Sequence, residues 1–508
     1  MTSTDQPSIR AAGYSELVKR YGLEVIPNWH ISYVASSGTH RTEKTSASVA
    51  DIFPASYWPG DSVGDHLEFA LKYDGVNLGI LAGVFSLAAT ADIVSYIMSK
   101  SLGKYARRVW FLYEFLSGNR LPLPDLQRGN YIDLLEPDQY YTLAPAIQVR
   151  RQRVNNNLLG NRNFCPTVRR TNVLCAFEET NLAERCREVM GRYSPEMLRR
   201  AMSYLYTKET KSSFAIEHIS PSSSRSERFI ALLQLAEQED FCVKERLVDL
   251  QNRIVDPRFR DSDYRSSQNY VGETVSWQRE RVHYACPTPE TVPQLMAGLI
   301  DAHKTMEDGG VSPIVHAAAV AYGLVFIHPF EDGNGRIHRF LIHNILARCG
   351  FSPAGIVLPV SAAMLKDRAA YDASLEAFSK PLLALVEYTL DGQGRMTVTN
   401  DVLTSYAYMD MTPQAEALFR FAERSVGIEL VEELSFLENY DRTKSAIQDI
   451  ADLPDQMIDL FVRLCLQNNG RVSARKRSSL FAMLSDDEVE QMESAVQSGY
   501  ATPTAETQ

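Results

Sequence analysis

The sequence is short of cysteine and holds no metal-type cysteine motif. Seven cysteines are scattered over 508 residues, with no CxxC pair among them. An odd number at irregular spacing argues against a disulfide framework and favours reduced thiols, which predicts a cytoplasmic protein. An internal repeat and a low-complexity tract are also absent, which argues against a solenoid or a fibrous chain.

Long hydrophobic runs are equally scarce. The first ten residues, MTSTDQPSIR, lack the apolar stretch of a signal peptide. Residues 76–98 are apolar, but Asn77, Asp92 and many small residues interrupt them, and an ionised aspartate is costly inside a bilayer. They predict a helix or helix pair in a protein core, with no membrane association. The net charge of −11 argues against coating of nucleic acid by the whole surface.

Length and patterning predict a mainly α fold of two to four domains. The N-terminal region would be mostly helical and of unknown role, and the C-terminal module would be helical or winged-helix-like. The predicted divisions are a disordered 1–12, the N-terminal region 13–195, a helical segment with linker 196–225, a core 226–395, and the C-terminal module 396–508. Within 195–219 the pattern predicts a helix, a polar break and a second short helix capped by Ser212 or Ser213. The stretch 221–226 reads as a flexible connector.

The core region carries clearer local signals. Residues 269–287 alternate and are rich in Val, Tyr and Thr, which is typical of a β-hairpin. Residues 313–328 form a strongly apolar helix, and a second helix from about 335 ends at Gly350.

One short stretch, HPFEDGNGRIHRF at 328–340, concentrates most of the chemistry. His328 ends an apolar helix before Pro329, so its imidazole lies beside the following loop, where it is suited to accept a proton from a hydroxyl. The alternative is a histidine that merely caps the helix. Asp332 is the type of ligand that Mg²⁺ takes beside bound phosphates.

The rest of the stretch is suited to an anion. Gly333, Asn334 and Gly335 tolerate the positive φ of a turn that points N–H groups at one place, just before a helix N-terminus. The alternative is an ordinary tight turn. Arg336 and Arg339 follow on one side of that helix, where they oppose its dipole. A bound phosphate chain would explain both arginines.

The stretch resembles the signature of Fic-domain proteins, His-x-Phe-x-(Asp/Glu)-Gly-Asn-Gly-Arg-x-x-Arg, and matches it at every position. The resemblance covers roughly 196–390 and implies a helical enzyme, a nucleotidyltransferase that moves AMP from ATP to a Ser, Thr or Tyr hydroxyl of a target protein. By that resemblance His328 would deprotonate the hydroxyl and Asp332 would hold Mg²⁺. The Gly333–Gly335 turn with Arg336 would bind the α- and β-phosphates, and Arg339 the γ-phosphate.

Three further expectations follow from the resemblance. The 269–287 hairpin looks like the family's flap, which would dock an extended segment of the target by β-augmentation. Tyr371 is a weaker candidate for the adenine pocket, the alternative being a core tyrosine. The chain itself, through self-modification, and a second copy, in a homodimer, are further partners.

The stretch SSFAIEH at 212–218 resembles the family's inhibitory motif, (Ser/Thr)-x-x-x-Glu-(Gly/Asn), in the class that carries it N-terminal to the core. Ser213 and Glu217 match it, and His218 departs from it. Glu217 would then pair with Arg339 and allow ATP only an unproductive pose. The alternative is a surface glutamate on a short helix.

Two other functions stay open. Removal of AMP or another phospho-transfer would use the same fold, although the intact Gly-Asn-Gly favours AMP transfer over the kinase-like branch. A DNA-binding regulator with a Fic core would use 452–500, where Arg475, Lys476 and Arg477 are basic, although the acidic surroundings favour a plain helical tail.

Overall fold

The computed structural model describes residues 8–44, 48–276 and 279–500, and its regular structure is mainly helical with small sheets. The predicted fold class is confirmed. The N-terminal part combines five helices with a four-stranded sheet of order β1-β2-β4-β3, in which β2 and β4 are parallel. Its elements are β1 Ile9–Ala12, α1 Tyr14–Tyr21, β2 His30–Ala35, β3 Arg41–Lys44, β4 Val49–Phe53, α2 Val63–Phe69, α3 Leu78–Leu87, α4 Thr90–Ser99 and α5 Lys104–Ser117.

A smaller sheet and two helices connect this part to the core. The sheet has the order β5-β7-β6. The connecting elements are β5 Ile132–Asp133, β6 Ile147–Val149, β7 Val154–Asn156, α6 Asn172–Glu179 and α7 Leu182–Met190. The two sheets were not predicted, because their strands are short and carry little alternation.

The core surrounds two buried helices, α12 and α13, which pack on each other. Its elements are α8 Pro195–Ile216, α9 Ser223–Leu235, α10 Lys244–Ile254, β8 Tyr270–Ser276, β9 Arg279–Ala285, α11 Val292–Asp308, α12 Pro313–Ile327, α13 Asn334–Arg348, α14 Val360–Lys366, α15 Arg368–Leu383, β10 Tyr388–Leu390 and β11 Met396–Val398. The predicted hairpin and the two predicted central helices are confirmed. The helix after the turn ends one residue before Cys349, and Gly350 has the positive φ of 66° expected of a helix stop.

The C-terminal part is helical. Its elements are α16 Leu403–Ala407, α17 Thr412–Arg424, α18 Leu430–Ile450, α19 Asp455–Leu466, α20 Ala474–Leu480 and α21 Asp486–Gly499. Between 452 and 500 the described chain contains no strand, so the winged-helix alternative lacks its wing. The basic segment lies on α20, where Arg477 pairs with Asp486.

Three local predictions were wrong. Ile9–Ala12, inside the segment predicted to be disordered, pair with β2, because the adjoining strand offers a free edge; residues 1–7 lie outside the described chain. The predicted break within 195–219 does not exist: Glu209 and Ser213 in the polar stretch are buried within the 22-residue helix α8, where their side chains hydrogen-bond to residues of α13. The predicted connector 221–226 instead begins α9, whose first turn Ser222 caps by accepting from the Arg225 N–H.

The apolar stretch 76–98 forms two helices, α3 and α4, as predicted. Among the described residues no single helix is long and apolar enough to cross a membrane. The α3–α4 pair meets the requirement of length and composition only when both helices are counted together across their bend of 113°.

Candidate active site

The loop that begins the 328–340 stretch starts where the apolar helix α12 ends. Nearly every residue of α12 is buried, so the helix is fixed by packing along its whole length. His328 is its C-terminal cap, with a left-handed φ of 53°, and its N–H donates to the Leu324 carbonyl at 2.8 Å. Pro329 follows and cannot extend the helix. The histidine is therefore held at the junction between a rigid helix and the loop.

The hydrogen bonding of His328 determines which ring nitrogen is free. Nδ1 lies 3.1 Å from the Val325 carbonyl, which can only accept, so Nδ1 carries the proton and Nε2 keeps its lone pair. Burial, together with the nearby Arg265 guanidinium, lowers the pKa of His328 to about 4. At neutral pH the imidazole is uncharged and its Nε2 can accept a proton.

Arg265 is an organising residue that sequence reasoning missed. Its buried guanidinium donates to three carbonyls, those of His328 at 2.7 Å, Ser267 at 2.7 Å and Pro287 at 2.6 Å. Its own N–H donates to the Pro329 carbonyl at 2.8 Å. It thus ties the loop after α12 to both stems of the hairpin. A single arginine within a polar loop carries no sequence signal of such a role.

The turn is closed by its asparagine. Asn334 Nδ2 donates to the Phe330 carbonyl at 2.7 Å, and its Oδ1 accepts from the Phe330 N–H at 3.1 Å. Gly333 has a φ of 94°, and a Cβ there would lie 2.9 Å from Val255 Cγ1. A Cβ on Gly335 would lie 2.5 Å from a carboxylate oxygen of Glu217. The two glycines therefore let an anion approach the N-terminus of α13, while Asn334 holds the turn's shape.

Both arginines of the motif are buried and share one carboxylate. Arg339 Nη2 donates to Glu217 Oε1 at 2.7 Å, and Arg336 Nε forms an ion pair with Glu217 Oε2, also at 2.7 Å. Arg339 also donates to the hydroxyl of Ser213 at 2.9 Å and to its carbonyl at 2.7 Å. The structure brings Ser213, Glu217 and Arg339 together. The second arginine on the same glutamate was not anticipated.

Glu217 lies at the end of α8, where the backbone reverses. The N–H groups of His218 and Ile219 donate back to the carbonyls of Ala215 and Phe214, and His218 has a φ of 57°. This is a Schellman-type helix end, whose left-handed position favours glycine or asparagine. His218 departs from the motif but still adopts this left-handed backbone conformation, which is strained in a residue with a Cβ.

Asp332 contacts one of the two arginines, and Tyr371 faces the other. The Asp332 side chain is 42% exposed, and its Oδ1 accepts from Arg336 Nη2 at 2.7 Å and from the Gly333 N–H at 2.6 Å. Tyr371 is a buried core residue whose hydroxyl faces Arg339 Nη1 at 3.5 Å, and burial raises its pKa. Glu331 is exposed.

The hairpin β8–β9 stands next to this loop. It is a two-stranded antiparallel sheet, so each strand keeps an outer edge, and its register shifts after Val271 and again between Thr274 and Ser276. Val271 and Val275 are exposed on β8. Such an edge can accept an added strand.

Residues 241–346 match the model of the Fic/DOC family. The chain contains a Fic domain. The match runs from the start of α10 through the motif to the last turns of α13. It therefore includes His328, the turn and both arginines, but not Ser213 or Glu217.

Curated relatives share the same region of this chain. It is 37% identical over 111 residues to protein adenylyltransferase fic-1 of Caenorhabditis briggsae, a stretch that covers 22% of this chain and 18% of the relative. The corresponding protein of Caenorhabditis elegans is 31% identical over 151 residues, covering 29% of this chain and 26% of its own length. A protein adenylyltransferase Fic of Nematostella vectensis is 39% identical over 90 residues, covering 18% and 19%. The matched region thus spans about a quarter or less of these relatives.

Solved structures with similarity to the chain also contain Fic domains. A Fic-domain signalling protein of Bacteroides thetaiotaomicron is 21% identical with a TM-score of 0.37, covering 51% of this chain and 96% of its own. Fic-1 of Caenorhabditis elegans is 18% identical with a TM-score of 0.33, covering 72% and 90%.

Proposed function

We propose that the chain is a protein adenylyltransferase that transfers AMP from ATP to a hydroxyl of a target protein and is held inactive by Glu217. One observation carries the proposal: an uncharged histidine with a free Nε2 beside two buried arginines at a glycine-bordered helix N-terminus. A base next to a strong anion site is what transfer of a phosphoryl-type group to a hydroxyl requires. The names of the relatives support the same reaction.

The proposed reaction needs few protein groups. The target Ser, Thr or Tyr hydroxyl attacks the α-phosphorus of ATP, and its proton moves to His328 Nε2. The bond from the α-phosphorus to the bridging oxygen breaks, and pyrophosphate leaves. The α13 N-terminus with Arg336 would hold the α- and β-phosphates, and Arg339 the γ-phosphate. Asp332, a partly exposed carboxylate at the rim of this cradle, would hold Mg²⁺, which neutralises phosphate charge when bound.

Glu217 would inhibit transfer by occupying the two arginines that the phosphates of ATP need. Glu217 pairs with both arginines and lies against Gly335, in the space that an anion entering the helix N-terminus would need. ATP bound with Glu217 in this position would lack the arginines for its β- and γ-phosphates, so its α-phosphorus would not be aligned for attack. Its side chain is 25% exposed, so it can leave without unfolding of the core.

Target docking is proposed at the hairpin. A target segment added to an open edge of β8–β9 would form main-chain hydrogen bonds independent of its sequence, and Arg265 joins that hairpin to the backbone of His328. Arg265 would then set the distance between the hydroxyl of the docked target and Nε2 of His328.

The test is transfer from ATP labelled at the α-phosphate, with candidate targets and with the chain itself as acceptor. We expect Glu217→Gly to raise labelling well above wild type. The control Glu196→Ala, an exposed glutamate at the other end of α8, should not change it. Adding His328→Ala to Glu217→Gly should abolish labelling while ATP binding persists, because general-base catalysis contributes about 10²–10⁴-fold.

The outcomes separate the parts of the proposal. Labelling that is equal in wild type and Glu217→Gly contradicts inhibition by Glu217 but not transfer. No labelling in any variant, with loss of AMP mass from a pre-modified target, would instead identify removal of AMP as the activity.

A further inference from the structure

A second cluster of charged side chains lies at the other end of α13, away from the loop at 328–333. Asp240 lies in the loop between α9 and α10, and His303 and Glu307 are one turn apart on α11. One potential ligand atom of each, a carboxylate oxygen or an imidazole nitrogen, lies within 4.8 Å of the others. The proposed transfer reaction uses none of these residues.

His303 directs a buried nitrogen into this cluster. Its side chain is 1% exposed, and its Nδ1 lies 2.9 Å from Nε2 of His316. Its Nε2 is 3.3 Å from Asp240 Oδ1 but makes no hydrogen bond of acceptable geometry to any described residue. A buried ring nitrogen without a hydrogen bond is unfavourable unless something else binds it.

The surroundings favour the metal-binding form of His303. Nε2 of His316 lies 2.9 Å from Nδ1 of His303 and can accept its proton. The His303 Nε2 lone pair then points toward the carboxylates. An outer hydrogen bond of this kind orients most metal-binding histidines. Asp240 is oriented too, because its Oδ1 accepts from the Cys242 N–H at 2.8 Å.

The position of a cation in this cluster is taken by an arginine. Arg348, in the last turn of α13, donates from Nη2 to Glu307 Oε1 at 2.5 Å, and its Nη1 is 3.8 Å from Asp240 Oδ1. Asp240 and Glu307 are 25% and 32% exposed, so solvent reaches the cluster from the carboxylate side. An ion could therefore enter and take the place of one guanidinium.

We propose that Asp240, His303 and Glu307 form a binding site for a divalent transition-metal ion of the zinc type, which exchanges with Arg348. One imidazole and two carboxylates are a ligand set that Zn²⁺ accepts, with water completing its coordination. The imidazole argues against Mg²⁺ and Ca²⁺, which prefer oxygen ligands. The site does not depend on the adenylyltransferase assignment.

The test is Zn²⁺ binding to the full chain, measured by competition with a chromophoric chelator and by metal analysis after desalting. The background is Asp332→Asn, so that an ion at the loop cannot contribute. We expect one Zn²⁺ per chain, and a visible d–d absorption when Co²⁺ replaces it. Asp240→Asn and Glu307→Gln, on the solvent side, should each weaken binding at least about tenfold. Arg348→Gln should tighten it by about tenfold or more, because a competing charge-assisted contact is lost.

The proposal is overturned if neither the Asp332→Asn protein nor the same protein carrying Arg348→Gln retains one Zn²⁺ per chain. It is also overturned if Asp240→Asn, Glu307→Gln and His303→Ala, each shown to be folded by circular dichroism, bind Zn²⁺ as the parent does. In the first case the cluster is an arginine–carboxylate lock, and in the second the ion binds elsewhere.

Discussion

The two ends of α13 both hold arginines against carboxylates, but in opposite electrostatic settings. At the N-terminal end, Arg336 and Arg339 lie beside unpaired backbone N–H groups at the positive end of the helix dipole. At the C-terminal end, Arg348 lies at the negative end of the helix dipole and faces Asp240 and Glu307.

The difference indicates what each end can exchange. At the N-terminal end two buried arginines face two partly exposed carboxylates, Glu217 at the end of α8 and Asp332 in the loop before α13. The C-terminal end has an excess of negative charge, and its counter-charge is Arg348. We infer that one helix presents an anion site at its start and a cation site at its end.

The largest expected effect concerns Arg339, at the N-terminal end of α13. In the Glu217→Gly variant, Arg339→Gln should lower kcat/KM for ATP by about ten- to a hundredfold, because a hydrogen bond to a charged group contributes about 1.5–3 kcal/mol. The matched change at the other end, Arg348→Gln, should leave kcat/KM for ATP unchanged. Steady-state kinetics of both variants decide this, and equal losses would mean that the two ends do not act separately.

The pH dependence of kcat/KM tests the proposed site at the N-terminal end of α13. His328 must be uncharged to accept a proton, and burial lowers its pKa to about 4. In Glu217→Gly, kcat/KM should therefore be flat from pH 8 down to about 5 and should fall only as pH approaches 4. Loss of Glu217 should not raise that pKa, because its negative charge favours the protonated imidazole. A fall centred near pH 6.5, the ordinary histidine value, would show that the ring is not buried in the active form.

The smallest expected effect concerns the helix end that carries the counter-charge. His218→Gly relieves a left-handed residue, which costs about 1 kcal/mol in a residue with a Cβ. With Glu217 intact, the end of α8 should be better formed and basal labelling should fall about fivefold. His218→Ala keeps the Cβ and serves as the control, with no such fall. Higher labelling in His218→Gly would contradict the role of this turn in holding Glu217.

Local features could be predicted where neighbouring residues decide them. Patterns within a few residues were enough to predict the hairpin, the helices α12 and α13, and the helix stop at Gly350. They also predicted the turn at 333–335. Predictions failed where distant contacts override local ones. The polar stretch of α8 stays helical because Glu209 binds His343 at 2.7 Å, a partner 134 positions along the chain.

The sequence by itself determined the chemical groups at the candidate site, because a base, a carboxylate, two glycines and two arginines occupy one short stretch. Only the tertiary structure decided how they are used. Folding brings Glu217 against both arginines, Arg265 onto the backbone of His328, and Asp240 to His303, since each partner is contributed by a different segment of the chain. Two arginines at the N-terminus of a helix are unfavourable by themselves, but here Glu217, from a distant segment, supplies a negative charge beside them. The spacing of residues along the chain does not reveal such a contact.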